Sequence, residues 1–163
     1  MKFNQNRIIG VLALLLTLVG SPAWSQTIYL VRHAEKVDES RDPALSLQGR
    51  KRAVDLAFHL RDAEIKKIYV TEFQRTQKTA EVLATQMKVA AQILPAKDIQ
   101  KLVAMLKTET GNTLVVGHSN TLPDILKALG ATNVVPVADN EYDRLVLLTM
   151  KNEALLSMQV LRY

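Results

Sequence analysis

Four segments of the chain repeat apolar residues at the spacing of an amphipathic helix. Apolar side chains stand at positions i, i+3, i+4 and i+7 of each segment, which places them on one helix face. The segments begin at Ala53, Ala80, Ile99 and Leu122. Ser46 can cap the first helix, Pro123 suits the first turn of the fourth, and Gly130 can end it. Each segment is therefore predicted to be a helix with one buried face.

Short apolar runs alternate with these helices, at residues 28–31, 68–70, 93–94 and 114–116. They are too short for helices, and continuous apolarity is typical of parallel strands that are covered on both faces. The alternation predicts an α/β fold: a three-layer sandwich with a mostly parallel central sheet flanked by helices. Two further runs, 145–150 and 154–161, are separated by Lys151-Asn152-Glu153. They predict a C-terminal hairpin that gives the sheet a mixed edge.

The first 25 residues differ in character from the rest of the chain. Lys2 and Arg7 precede an apolar run over 8–19, and Ala23-Trp24-Ser25 places small residues at the −3 and −1 positions of a cleavage site. This layout predicts a secretory signal peptide over 1–25, followed by one domain over 26–163. The apolar run is shorter than the roughly 18 residues that a membrane span needs. We therefore expect export, in a bacterium to the periplasm, and no stable membrane anchor after cleavage.

Composition narrows the function classes. The 163 residues include 21 Lys and Arg against 16 Asp and Glu, a net charge of +5, and two of the basic residues belong to the leader. This excess is too small to predict nucleic-acid binding, although it is compatible with a basic cleft for anionic substrates. The chain has no cysteine, which excludes disulfides, thiolate metal sites and a cysteine nucleophile.

Chemically competent side chains follow three of the predicted strands. Arg32 and His33 follow the first strand, Arg75 lies shortly after the second, and His118 follows the fourth. Ligands of open α/β sheets bind beyond the carboxyl ends of the strands, so these groups are expected to meet. The planar fork of Arg matches phosphate oxygens, and nearby cations should lower a histidine pKa and keep the imidazole neutral and nucleophilic. The pattern predicts phosphoryl transfer to a histidine, followed by hydrolysis by water.

Arg32-His33-Ala34-Glu35 resembles the R-H-G signature of the histidine phosphatase superfamily, the phosphoglycerate-mutase-like proteins. The resemblance covers nearly all of residues 27–150 and continues, in the family's order, through 45–49, 75–80 and 116–119. It implies that His33 accepts the phosphate, that Arg32, Arg75 and His118 form the phosphate pocket, and that no metal or other cofactor is used. Ala34 stands where the family usually has Gly. The chain looks like a short form of the family, which favours a phosphatase over a mutase.

The resemblance implies phosphorylated substrates, either small-molecule phosphomonoesters or a phosphoprotein. Lys36, which stands where many members have Thr or Asn, and Ser119 are candidate substrate-binding residues. A leaving alkoxide needs a proton donor. The candidates for this role are Asp98, Glu72 and Asp124, with Glu35 beside the nucleophile. No motif selects one of them, and the natural substrate and the oligomeric state are left open.

Three other functions are weighed against this one. Gly117-His118-Ser119-Asn120-Thr121 approaches the esterase motif G-x-S-x-G, but the last Gly is missing and no histidine follows His118 to complete a triad. A metal hydrolase would need a ligand motif around His33 or His118, and none is present. An exported anion-binding protein of the same fold, without turnover, remains an alternative because the same pocket residues would serve it.

Overall fold

The computed structural model describes residues 25–163. The predicted signal peptide lies outside these residues except for Ser25, the first residue of β1. In chain order the elements are β1 (Ser25–Arg32), α1 (Leu47–His59), β2 (Ile65–Val70), α2 (Gln74–Met87), β3 (Ala91–Ile93), α3 (Ile99–Thr108), β4 (Asn112–Gly117), α4 (Leu122–Ala128), β5 (Arg144–Lys151) and β6 (Ala154–Arg162). Within these residues, no helix is both long enough and apolar enough to span a membrane.

The strands form one sheet in the order β3-β2-β4-β1-β5-β6. Neighbouring strands run parallel from β3 to β1, and the pairs β1–β5 and β5–β6 are antiparallel. Side chains of α1 and α2 pack on one face of the sheet, and those of α3 and α4 pack on the other. The predicted three-layer α/β sandwich, with a mostly parallel sheet and a hairpin at one edge, is confirmed.

The apolar runs in β1, β2 and β4 are buried from both sides, as predicted. The prediction is wrong for the run at 93–94, because β3 lies at the edge of the sheet and its residues are exposed. Side chains alternate between the two faces of a strand. In β1, Ile28 and Leu30 pack with α3 and α4, whereas Val31 packs with α1 and α2. In β4, Val115 and Leu114 divide in the same way. Because both faces of these central strands are covered, both sets of positions must be apolar.

The ends of two elements show why the sequence forms them. Ser46 Oγ accepts a hydrogen bond of 3.0 Å from Gly49 N and caps α1 as predicted. Asn152 and Glu153 have φ values of 49° and 65°, and Lys151 lies opposite Ala154. A two-residue hairpin turn with positive φ at both central residues matches the twist of the strands it joins.

Gly49 allows α1 to approach the segment that follows β1. A Cβ at position 49 would clash with the carbonyl oxygen of Glu35. Ser46 N donates to this same oxygen at 2.9 Å. The close approach explains why glycine occupies the position where a full capping box would have Glu or Gln. The N-terminus of α1 is thereby fixed against the residues that follow His33.

Candidate active site

Two histidines lie side by side at the carboxyl ends of the adjacent parallel strands β1 and β4. The ring centres of His33 and His118 are 5.3 Å apart, and the rings meet at an interplanar angle of 62°. His33 N donates to Gly117 O at 2.9 Å, which continues the strand pairing by one residue. Only 4% of His33 and 6% of His118 is exposed. The sheet register itself therefore brings the two imidazoles together.

The ring of His33 is held with one nitrogen free of hydrogen. Its Nδ1 lies 2.9 Å from Ala34 O. A carbonyl oxygen only accepts, so Nδ1 carries the proton and the lone pair resides on Nε2. Burial lowers the pKa of His33 to about 3, and the charges of His118, Arg32 and Arg75 add to this effect. The lowered pKa was expected from the nearby cations, but desolvation is the larger cause. His33 is thus a neutral imidazole with its Nε2 lone pair available at neutral pH.

His118 is fixed in the opposite tautomer. Its Nδ1 lies 3.5 Å from Nη2 of Arg75, which can only donate, and its Nε2 lies 3.0 Å from Thr71 Oγ1. Nε2 therefore carries the proton and donates to the Thr71 hydroxyl. That hydroxyl lies 3.0 Å from Thr76 Oγ1, which in turn donates to Phe73 O at 2.8 Å. Burial, followed by the charges of Arg75 and Arg32, lowers the pKa of His118 to about 4.

Two guanidinium groups lie beside the histidines. Nη1 of Arg32 contacts the carbonyl oxygens of a loop between α4 and β5, and its Cζ lies 4.2 Å from the centre of the Tyr142 ring. Arg75 has its Cζ 4.2 Å from the centre of the Phe73 ring and its Nη1 3.8 Å from the Asp42 carboxylate. Each guanidinium therefore lies over an aromatic ring.

Buried donors without acceptors remain in this cluster. Within residues 25–163, Nε of Arg32 and Nε of Arg75 are buried and have no hydrogen-bond partner. Buried polar groups of folded proteins are nearly always paired, so unpaired ones call for a partner such as an ion. Two guanidinium groups with unused donors, next to a neutral imidazole, form a site suited to a tetrahedral oxyanion.

Four of the residues predicted for the site are brought together by the fold, namely Arg32, His33, Arg75 and His118. The two candidate substrate-binding residues are close in sequence to the two histidines. Lys36 forms an ion pair of 2.6 Å with the exposed Glu39. Ser119 is half-buried and directly follows His118. Their roles in substrate binding stay predictions.

The candidate proton donors are dispersed around the carboxyl edge of the sheet. Glu72 is exposed, and its carboxylate accepts from Ala96 N at 2.7 Å. Asp98 precedes α3 without capping it through its side chain and borders a small, mostly apolar cavity. Asp124 is exposed in the first turn of α4. The carboxylate of Glu35 is held by Arg52 at 2.7 Å.

Within residues 25–163, no carboxylate makes a hydrogen bond or an ion pair with His33 or His118. The contacts therefore select none of the acidic candidates as the proton donor. In the same part of the chain, no group of three or more His, Asp or Glu side chains is placed to share a metal ion.

Sequence reasoning missed several residues that shape the site. Thr79 Oγ1 accepts from Ala34 N at 2.9 Å and donates to Arg75 O at 2.7 Å, so it joins the turn after His33 to the helix of Arg75. The turn accepts Ala34 in place of Gly because φ of Ala34 is negative and its methyl group packs against Leu45 and Ala53. Thr71 and Tyr142 were also missed. A hydroxyl directly after β2 was a usable signal for Thr71; no pattern pointed to Tyr142.

Comparisons with known proteins agree with this geometry. Residues 28–98 match the model of the histidine phosphatase superfamily, branch 1. No curated protein sequence matches the chain significantly.

Solved structures with the same fold are distant in sequence. The protein histidine phosphatase SixA, complexed with tungstate, is 19% identical and superposes with a TM-score of 0.70 over 83% of this chain and 96% of that one. A putative alpha-ribazole-5'-P phosphatase from Escherichia coli is 14% identical, with a TM-score of 0.70 over 85% of this chain and 96% of that one. A phosphoglycerate mutase from Plasmodium falciparum is 17% identical, with a TM-score of 0.61 over 86% and 91% of the two chains.

Proposed function

We propose that the chain, whose residues 28–98 match the model of the histidine phosphatase superfamily, is a phosphatase of that family that hydrolyses phosphomonoesters, or a phosphoprotein, through a phosphohistidine on His33. The observation that carries the proposal is the free Nε2 of His33 beside two guanidinium groups with unused donors. The similarity to SixA, whose structure holds the tetrahedral oxyanion tungstate, supports it. So does the similarity to other structures that are named as phosphatases.

In the first step, Nε2 of His33 attacks phosphorus and the bond from phosphorus to the leaving oxygen breaks. The leaving oxygen takes up a proton from a carboxyl group, for which Glu72, Asp98 and Asp124 are the candidates, and the imidazole carries the phosphoryl group. Nδ1 keeps its proton and its hydrogen bond to Ala34 O, so the positive charge that develops on the ring faces a carbonyl dipole. In the second step, a water oxygen attacks phosphorus and gives up a proton to the carboxylate left by the first step. The P–N bond breaks, and inorganic phosphate and a free imidazole result.

Arg32 and Arg75 stabilise the transferring group. The charge on the phosphoryl oxygens rearranges during both transfers, and fixed donors aimed at that charge lower the barrier. Nδ1 of His118 accepts from Nη2 of Arg75 and so helps to orient that guanidinium. The chain thus supplies both the nucleophile and the neutralising charges from its own side chains, and we propose that no metal ion takes part.

Hydrolysis of p-nitrophenyl phosphate tests the proposal. We expect turnover by the wild-type chain that persists after exhaustive EDTA treatment and is lost in His33→Ala. His59→Ala is the matched control, because His59 is an exposed histidine of α1. Phosphate binding without hydrolysis anywhere between pH 4 and 8 would favour the anion-binding alternative, and loss of activity with EDTA would favour a metal hydrolase.

We also propose that the protein is exported, in a bacterium to the periplasm, on the strength of the leader pattern around Lys2, Arg7 and Ala23-Trp24-Ser25. Sequencing the amino terminus of the chain purified from intact cells tests this proposal. Cleavage after Ser25 would make Gln26 the first residue. An unprocessed Met1 in the cytoplasmic fraction would contradict it.

A further inference from the structure

Three backbone carbonyls surround one end of the Arg32 guanidinium. Nη1 lies 2.9 Å from Ala138 O, 2.8 Å from Asp139 O and 3.2 Å from Glu141 O. This nitrogen has two N–H groups, so one of them is shared between two acceptors. All three carbonyls belong to the loop between α4 and β5, which we call the 138–142 loop. The loop therefore fixes one end of the fork on a side chain that is 7% exposed.

The same loop covers one face of the guanidinium. The ring centre of Tyr142 lies 4.2 Å from Cζ of Arg32 and 6.2 Å from the ring centre of His33. A guanidinium over an aromatic face gains cation–π attraction, which is larger when the pair is partly desolvated. With its end and one face held, Arg32 has little freedom left, and its buried Nε has no partner within the described residues.

Glu141 stabilises the 138–142 loop, which holds the Arg32 guanidinium. Its carboxylate accepts from Ala138 N at 3.2 Å and from Arg144 at 2.6 and 2.7 Å, and it also pairs with Arg162. Arg144 in turn donates to Val135 O at 2.7 Å. One carboxylate thus connects the loop to both strands of the C-terminal hairpin, while the backbone oxygen of the same residue contacts Arg32.

We propose that Glu141 and Tyr142 are positioning residues that orient Arg32 for binding the phosphate, without touching the phosphate or the reacting atoms themselves. The inference rests on the proposed function, in which Arg32 binds the phosphoryl group. An arginine that is already held in its binding conformation loses less side-chain entropy when the phosphate arrives. Without the side chain of Glu141 or Tyr142, the guanidinium keeps its charge but is no longer held in one orientation.

A double-mutant cycle on phosphate affinity tests this proposal. Tyr142→Leu and Glu141→Gln are each measured in the wild-type and in the Arg32→Ala background, with inorganic phosphate as the titrant in calorimetry. In the wild-type background, Tyr142→Leu is expected to weaken binding about tenfold, the order of a partly desolvated cation–π contact. Glu141→Gln is expected to weaken it about threefold, because the ion pairs that hold the loop contribute less. In the Arg32→Ala background, the same changes should alter binding less than about twofold, because coupled sites are not additive.

Two matched variants separate positioning from a general loss of structure. Tyr142→Phe keeps the ring and should retain affinity within about twofold. Asp143→Asn alters the neighbouring acid, which pairs with Arg162 and makes no contact with Arg32, and should bind phosphate as the wild type does. Thermal unfolding of every variant identifies any that are merely destabilised.

The outcomes distinguish the two proposals. If the wild-type chain neither binds phosphate nor hydrolyses an ester, both the proposed function and the positioning role are wrong. If the wild type binds phosphate but Tyr142→Leu and Glu141→Gln weaken binding equally with and without Arg32, or leave it unchanged, the positioning role alone is overturned. A loss in Tyr142→Phe as large as in Tyr142→Leu would likewise overturn it, since it would assign the effect to the hydroxyl.

Discussion

His118 and Thr71 share a hydrogen bond of 3.0 Å that joins the end of β4 to the residue after β2. The imidazole donates through Nε2, which leaves Nδ1 as an acceptor toward Arg75. The Thr71 hydroxyl in turn donates a hydrogen bond to Thr76 Oγ1. The orientation of His118 in the site therefore depends on a hydroxyl group that does not itself reach the cluster of His33, Arg32 and Arg75.

Removing that hydroxyl should impair catalysis. In Thr71→Val the buried Nε2–H of His118 loses its acceptor, which costs about 1.5 kcal/mol and lowers kcat on the order of tenfold. Thr71→Ser keeps the acceptor and should retain most of the activity. Steady-state kinetics with p-nitrophenyl phosphate measures both variants. Equal activity of Thr71→Val and Thr71→Ser would show that the hydrogen bond to Thr71 does not orient the His118 ring.

Arg75 should contribute as a donor to the transferring group. Replacing it with Ala removes an interaction worth about 3 kcal/mol in the transition state, on the order of a hundredfold in kcat/KM. Arg75→Lys restores the charge without the planar fork and should recover only part of this loss. Arg61→Ala, an exposed arginine beyond α1, serves as the control. A loss of less than about threefold in Arg75→Ala would place that side chain outside the reaction.

The lowered histidine pKa values make stability depend on pH. His33 and His118 titrate at about 3 and 4 in the folded chain, below the ordinary value near 6.5 of an unfolded histidine. Between these values the unfolded chain binds more protons, so the free energy of unfolding decreases as the pH falls from about 6.5 toward 4.

Urea denaturation at pH 7 and at pH 4.5 measures this dependence. The wild type should lose more stability over that interval than His33→Ala, because the variant lacks one of the two groups while the carboxylates titrate alike in both proteins. An identical loss in the two proteins would mean that His33 is not desolvated.

Gly49→Ala should destabilise the fold although it lies in a helix. Alanine in place of glycine favours a helix by about 1 kcal/mol. Here the new methyl group would meet the Glu35 carbonyl oxygen, which belongs to the backbone and cannot move aside without shifting the turn after His33. Overpacking of this kind costs about 1–3 kcal/mol, so the melting temperature should fall. Lys51→Ala, at an exposed position of α1, is the control. A rise in Tm for Gly49→Ala would contradict the close approach.

The sequence predicted the fold well because the strands and helices carry strong local signals. Helical spacing, continuous apolar runs and the position of Ser46 all lie within a few residues of the elements they specify. The placement of Arg32, His33 and His118 followed from the same assignment of strands and helices, since each stands at or directly after the end of a strand. Parallel strands end at a common edge, and no further information was needed to bring these residues together.

The features that the sequence did not reveal depend on distant backbone atoms or on packing. Arg32 is held by carbonyl oxygens of the 138–142 loop, and any residue type supplies a carbonyl. Tyr142 lies in a segment without periodicity, so nothing distinguished it from a surface tyrosine. The pKa of His33 is lowered mainly by burial, and the depth of burial cannot be predicted from the neighbouring residues in the sequence. The pairing of Glu35 with Arg52 likewise became visible only with the helix packed against the turn.

Detecting a covalent intermediate on His33 is the most direct test of phosphoryl transfer to this residue. The protein is mixed briefly with a phosphomonoester labelled with ³²P, quenched in alkali, and digested for peptide mapping. The expected result is label that is stable in alkali and labile in acid, located on the peptide that contains His33 and absent from His33→Ala. Label on a serine, or steady turnover with no label on any residue, would contradict phosphoryl transfer to this histidine.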